Sequence, residues 1–504
     1  MVKKKKRSFM SKLFSRRILL LIQFIVSIIF LGCIYILKML PMKYYLILCG
    51  IIFLLWMLSS LLIKSGIKKK KRENKYARLI FGKLLSLILS VALGFVSVMA
   101  FKGNNFLSNI TGSFTQTRVI CMYVKKESAI KSLRDVKDNT EIGIASEKGS
   151  KNITSAIAKI ENKANKDFQT KDYKDYSLLG DAIMDGDIDV IVADNAYMAL
   201  LEANHEGIDE NLKSLYKVEI QEKLNSVTQE TNVTKNPFIV YMTGIDTYGT
   251  VSAISRADVN LAVCVSPIQK QILIVSIPRD TQITLHKNGK MDKLTHTGIY
   301  GVEETISTIE DFLDLDVNYY ARTNFSGITN IIDALGGVTV DSDYEFTTLH
   351  GHYHINKGIN QMDGDKALCF VRERYNLPSG DYDRGRNQQK LLKAMLNKAM
   401  SPKIITNFQR ILTAIEGCFE TNMSSDEIKS LINMQLDDNA EWDVFNVQLD
   451  GKGYMTDQTY SMHGTSIYVM KPYASYVKKI TKLIDRVEDG DKITENDVKG
   501  LGGE

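Results

Sequence analysis

Three runs of apolar residues, 18–37, 44–63 and 79–101, dominate the start of the chain; each lacks a polar face and is about 20 residues long, the length that crosses a bilayer. They predict three transmembrane helices. After residue 101 the pattern shortens. Apolar runs of strand length at 117–124, 140–146 and 188–195 alternate with helix-like periodicity at 128–136, 150–165 and 177–186. A polar stretch, 218–236, reads as a linker. Beyond it, strands are predicted at 236–246, 259–266, 270–280, 336–341 and 367–374, some nearly continuous in apolar residues as strands covered on both faces are. Amphipathic helices are predicted at 301–314, 324–337 and 387–400. The class is therefore α/β. Residues 1–104 form a cytoplasmic tail and membrane anchor, 105–217 a small extracellular α/β accessory domain, and 237–485 a larger α/β domain around a central mixed sheet flanked by helices. Residues 486–504 read as a polar tail.

Charge gives the pattern a direction. The chain carries a formal +6, but residues 1–104 hold 20 Lys or Arg and one acid, which leaves 44 basic and 57 acidic residues, net −13, for the rest. Two basic flanks, 1–17 and 64–78, hold eight Lys or Arg each, whereas the loop between the first two apolar runs has only Lys38 and Lys43. Cytoplasmic segments collect such residues, so the N-terminus is expected inside and everything after residue 101 outside. Lys83, one turn into the third run, can snorkel to the headgroups. The first run is too long for a cleaved signal peptide. An acidic outer part lacks the basic footprint of a nucleic-acid binder, and the basic flanks suit anionic headgroups instead. The six cysteines (Cys33, Cys49, Cys121, Cys264, Cys369 and Cys418) show neither disulfide-framework nor zinc spacing, and Cys264 and Cys369 read as buried, inert thiols.

The stretch 371–390, VRERYNLPSGDYDRGRNQQK, gathers Arg372, Arg374, Arg384 and Arg386. If 367–374 is a strand, period-two alternation puts Leu368, Phe370, Arg372 and Arg374 on one face. The same alternation aligns Leu273, Val275, Ile277 and Arg279, and Val240, Met242, Gly244 and Asp246. Three strands then run apolar and end in charge, which implies an amphiphilic ligand with a greasy tail, against Leu273, Val275, Ile277, Leu368 and Phe370, and an anionic head. Arginine suits bidentate phosphate contacts. Asp246 and Asp258 are hard oxygen ligands of the kind that hold Mg²⁺, with Mn²⁺ as a substitute. Gln388, four residues after Arg384, would share its helix face and orient a phosphate oxygen or acceptor hydroxyl.

Plainer readings stand beside these. Arg372, Glu373 and Arg374 also fit a solvated strand edge with ion pairs worth about 0 to 1 kcal/mol each. Asp246 and Asp258 also fit turn positions, and Arg386 and Asp383 read as surface residues. Gly149 and Ser150 fit a helix N-cap better than an anion cradle. His350, His352 and His354 alternate like one strand face, but zinc normally draws ligands from separate segments.

The motifs YMTGID, SRADV, SIPRDT, YYARTNFSGITNIIDALGGV, the run from Gly358 through Gly364, Ala367 and Leu368 to VRER, and GDYDRGRNQQ resemble the catalytic domain of the LytR-CpsA-Psr family over about 238–400. The tail, three helices and extra domain resemble its capsule-type branch in Gram-positive bacteria, and residues 105–217 loosely resemble a solute-binding lobe. The resemblance implies a membrane phosphotransferase that joins a capsular or other wall glycopolymer from a polyprenyl-diphosphate carrier to peptidoglycan and releases polyprenyl phosphate. By motif position, Asp246 and Asp258 would hold Mg²⁺. Arg279, Arg372, Arg374 and Arg384 would hold the diphosphate with help from Gln388, and Arg279, Arg374 and Asp246 would carry catalysis. Capsule-synthesis machinery is an implied partner. The family often writes arginine where this chain has Asn387, and Arg386 lies one position away. Hydrolysis of the lipid diphosphate, or a regulatory role as the family's older description of attenuators implies, are the alternatives.

Overall fold

The computed structural model describes residues 15–502 apart from 69–72, 112–114, 146–149, 206, 225–228, 230, 246–250 and 402–403. Its contacts divide into two units.

The first unit comprises residues 1–111, 400–413 and 424–440. Helices α1 (Arg16–Leu37), α2 (Met42–Lys68) and α3 (Glu73–Ile110) contain three spans long and apolar enough to cross a membrane. Polar side chains join them: Trp56 Nε1 donates to the Leu20 carbonyl at 3.2 Å, and Ser86 Oγ to that of Leu19 at 3.3 Å. Gly82 lets α3 lie against α2, because a Cβ there would meet Ile63 Cγ1 at 2.9 Å.

The second unit holds two large sheets and, among the described residues, four two-stranded ribbons. Strands β1 (Thr115–Lys125), β2 (Glu141–Ala145), β3 (Gln169–Tyr173), β4 (Val190–Asp194) and β5 (Leu212–Lys223) form one, in the order β3-β2-β4-β1-β5. The expected helices at 150–165 and 177–186 appear as Ser150–Ala164 and Tyr176–Asp185, whereas 128–136 holds only a 3-10 turn, Leu133–Asp135. β5 occupies the first six residues of the stretch read as a linker, because pairing with β1 makes its polar residues the outer side of an edge strand.

The larger sheet is built from β6 (Phe238–Ile245), β7 (Ala257–Ser266), β8 (Gln271–Ser276), β9 (Tyr319–Thr323), β10 (Phe419–Thr421) and β11 (Asp443–Gln448), in the order β10-β9-β6-β7-β8-β11. The β6-β9 and β8-β11 pairs are parallel and the others antiparallel, a mixed sheet. One face packs Tyr241, Ala262, Leu273 and Val275 against Ile306, Ile309, Ile480 and Leu483. The other packs Leu261, Val263, Ile272 and Ile274 against Leu392. Both faces are dry, which is why these strands read as continuous apolar runs. The stretch read as a polar tail packs in part: Ile493, Val498 and Leu501 join the first of these cores.

Three helices frame the second face: α4 (Phe325–Ala334), α5 (Gly364–Arg372) and α6 (Asp381–Ala399). α5 overturns the strand expected at 367–374. The Asp363 side chain accepts from the Lys366 amide at 2.9 Å and starts a helix there. Gly364 then lies so close to α4 that a Cβ would meet the Thr329 carbonyl oxygen at 2.4 Å. Gln389 ties α6 to the sheet by donating to the Val447 carbonyl at 2.5 Å. The expected strand at 336–341 forms, as Val338–Ser342, but pairs with Gly358–Met362 in a separate ribbon.

Candidate active site

A cavity of about 420 Å³ lies where the ends of β6 and β7 meet α4, α5 and α6. Helical periodicity shapes it. Along α6, Arg384, Gln388, Leu391 and Met395 follow at spacings of four, three and four residues and all line the cavity, so one helix stripe passes from charge to grease. On α5, Leu368 and Arg372 do the same at i, i+4. Met242, Val259, Leu261, Phe325, Ile328, Val371 and Leu392 complete the apolar wall.

The polar mouth collects five arginines, Arg256, Arg279, Arg372, Arg374 and Arg384, against two carboxylates, Asp258 and Glu373. Arg279 Nη1 donates to Asp258 Oδ1 at 3.0 Å, the Thr295 hydroxyl donates to the same oxygen at 2.9 Å, and Arg256 Nη2 stands 4.0 Å from Oδ2. Burial pushes the Asp258 pKa up, but Arg279, then Arg256, and the two hydrogen bonds outweigh it and leave it at about 2. Asp381 lies behind this pair, 2.6 Å from Arg384 Nη2 and 3.9 Å from Arg279 Nε. Arg384 is nonetheless pushed below its ordinary value: burial acts first, and Arg279 and Arg374 reinforce it against Asp381 and Asp258. A site that strains an arginine this way favours an incoming anion.

Arg372 and Arg374 have no carboxylate partner among the described residues. Arg372 stacks over the Phe325 ring at 4.1 Å, and Arg374 sits over Tyr375 at 4.5 Å and donates to its hydroxyl. Their loop is shaped by Glu373, which is only 3% exposed. One of its oxygens accepts the amides of Arg374, Tyr375 and Asn376 at 2.9–3.0 Å, and the other accepts that of Leu349. Four amides thus use up this negative charge, and the guanidinium groups keep theirs for a ligand. The sequence hides this role, since a Glu between two arginines looks like a local ion pair.

Of the residues singled out from the sequence, Asp258, Arg279, Arg372, Arg374, Arg384, Gln388 and Leu368 meet at this cavity. Asp246 lies outside the described residues, as does Gly149. Leu273, Val275, Ile277 and Phe370 do not line it. The first three face the helices on the opposite side of the sheet, and Phe370, once 364–372 is a helix, points into a separate core with Ile332, Val338 and Phe346. Arg386 is also elsewhere: it pairs with Asp383 at 2.7 Å and donates to the Tyr344 hydroxyl at 2.9 Å, so it does not stand in for an arginine at Asn387. Asp383 is buried rather than on the surface, accepting from the Ser379 amide at 2.8 Å. The three histidines share no strand face. His350 borders the cavity, His352 sits in a left-handed turn, and His354 starts a short strand.

A model of the LytR_cpsA_psr family matches residues 201–476, more than half of the chain. The chain belongs to the LytR-CpsA-Psr family. It is 34% identical over 227 residues to the TagU of Enterococcus faecalis, named a polyisoprenyl-teichoic acid–peptidoglycan teichoic acid transferase, covering 44% of this chain and 73% of that protein. The TagU of Bacillus cereus is 31% identical over 257 residues, covering 50% and 81%. The crystal structure of B. subtilis TagV aligns with 51% of this chain and 98% of its own at 25% identity, with a TM-score of 0.44. A DNA polymerase processivity factor model matches 77–193, a stretch that begins inside α3 and ends inside β4 and so coincides with no structural unit.

This LytR-CpsA-Psr member carries SRADV where close packing demands a glycine from another segment. A Cβ at Gly298 would meet the Ser255 carbonyl oxygen at 2.4 Å and the Ala257 amide nitrogen at 2.6 Å. Gly298→Ala therefore pushes on the strand start that presents Arg256 and Asp258, and it is expected to cost about 1–3 kcal/mol of stability. An unchanged thermal midpoint would show that the segment yields without cost.

Proposed function

We propose that this protein transfers a wall glycopolymer from a polyprenyl-diphosphate carrier to peptidoglycan. The observation that carries the reading is the excess of arginine at the mouth of an apolar cavity, two of them without acidic partners among the described residues. A diphosphate with a polyprenyl tail has that profile of charge and grease. The relatives' name, polyisoprenyl-teichoic acid–peptidoglycan teichoic acid transferase, supplies the two substrates of the same chemistry.

In this reading the isoprene units nearest the head lie against Met242, Leu368, Leu392 and Met395, and Arg279, Arg372, Arg374 and Arg384 hold the diphosphate. An acceptor hydroxyl oxygen attacks the phosphorus that bears the glycopolymer. A new P–O bond forms, the bridging P–O bond breaks, polyprenyl phosphate leaves with the electron pair, and the hydroxyl proton passes to solvent. The arginines stabilise charge on the transferring group, the term that usually matters most in such a reaction. In this reading the basic flanks of the three apolar segments lie in the cytoplasm, and the chemistry takes place on the outer side of the membrane.

Asp258 is suited to a divalent cation: it is ionised, and its Oδ2 is buried with no hydrogen-bond partner among the described residues. Together with Asp246 it would hold Mg²⁺, which when bound adds positive charge beside the phosphates and orients their oxygens. The test is the full chain in lipid nanodiscs with a synthetic polyprenyl-diphosphate glycan and uncrosslinked peptidoglycan. Mg²⁺ should yield polyprenyl phosphate and glycan-linked peptidoglycan in equal amounts, and EDTA should abolish both. Polyprenyl phosphate without the covalent product would mean hydrolysis, and turnover in EDTA would remove the metal from the scheme.

A further inference from the structure

A second cleft, about 570 Å³, is lined by Asp280, Ser379, Asp381, Tyr382, Asp450 and Tyr468. Its lining is tied to that of the first cavity by ion pairs. Asp280 follows Arg279 directly, and Asp381 bridges Arg279 and Arg384, so the guanidinium groups that face the apolar cavity are backed by residues that face this one. We propose that this cleft is the subsite for the acceptor glycan, and that Tyr468 and Asp450 determine its recognition; the inference rests on the transferase reading above.

The chemistry of the lining supports it. Tyr468 rests against Gly453 so closely that a Cβ there would meet its hydroxyl at 2.2 Å and its ring carbons at 2.7 Å. The ring is thus held in place by the hairpin 451–456/467–472 while remaining 47% exposed. A fixed, exposed aromatic ring is a stacking surface for a pyranose. Asp450 Oδ1 takes the Gly451 amide at 2.7 Å, which orients the carboxylate and leaves acceptor capacity for sugar hydroxyl or N-acetyl N–H groups. The cleft wall is also firm: the Met470 amide donates to the Asp280 carbonyl at 2.7 Å, and Asp280 pairs with Lys293 at 2.5 Å. Asp280 and Asp381 are paired with cations, so the carboxylate this cleft offers is that of Asp450, which has no ion-pair partner among the described residues and suits an uncharged sugar better than a phosphate.

The test uses the full-length protein in nanodiscs, with uncrosslinked peptidoglycan glycan strands as probe, and measures both direct binding and transfer kinetics. Tyr468→Ala should weaken strand binding and raise the acceptor KM roughly tenfold, with the donor KM unmoved. Tyr468→Phe, which keeps the ring, should restore both to within about twofold of wild type. Equal strand binding by wild type and Tyr468→Ala, or donor and acceptor KM rising together, overturns the assignment. Strand binding lost in Tyr468→Ala while the wild type fails to turn over the donor would uphold the cleft and sink the transferase reading instead.

Discussion

Arg374→Ala is expected to lower glycopolymer transfer by about 10²-fold or more while leaving the fold intact, because in the proposed mechanism it removes a charge that stabilises the transferring phosphate. Among the four arginines this is the cleanest probe. Arg374 contacts Tyr375 and no carboxylate among the described residues, so its loss strands no buried anion. The Glu373 carboxylate, bonded to four backbone amides, keeps the loop in shape without it. Mass spectrometry of lipid carried by the purified protein gives a second readout: a polyprenyl phosphate present on the wild type should be depleted in the variant. Wild-type retention of polymer on the wall, or undiminished lipid, would remove Arg374 from the site.

Arg279→Met is expected to cost activity and stability together, the latter by about 3 to 5 kcal/mol. Its guanidinium holds Asp258, whose side chain is 9% exposed and ionised down to about pH 2. Without that partner a buried carboxylate keeps, among the described residues, Thr295 at hydrogen-bond distance and Arg256 at 4.0 Å. Adding Asp258→Asn should recover most of the stability, since removing both partners leaves no buried charge unpaired, but none of the activity. Thermal unfolding of the two single variants and the double variant closes the cycle. Additive losses would mean that the pair is not coupled.

Much of this was legible beforehand, and the misreadings share a cause. The segment 367–374 was ambiguous because Ala367, Leu368, Phe370 and Val371 suit a buried strand as well as a short helix. Asp363 as a cap and the fit of Gly364 against α4 decided for the helix. That change moved Phe370 out of the predicted lipid wall and kept Leu368 beside Arg372. Likewise Leu273 and Val275 alternate correctly along β8, but with both faces of the sheet covered, alternation does not say which face borders a cavity.

The sequence by itself determined what local order can express: three helices long and apolar enough to cross a membrane, the strands of a mixed sheet, an acidic part after residue 104, and a chemically coherent set of arginines and aspartates. Hydrophobic period, length and charge are properties of neighbours along the chain, so they survive without coordinates. Only the tertiary structure decided which residues meet. It brought Arg279 to Arg384 across more than a hundred residues through Asp381, sent Arg386 to Asp383 instead, and turned Glu373 from an apparent ion-pair partner into the anchor of the arginine loop. Those outcomes depend on packing between distant segments and on which buried polar groups find partners, and neither is written in the spacing of residues.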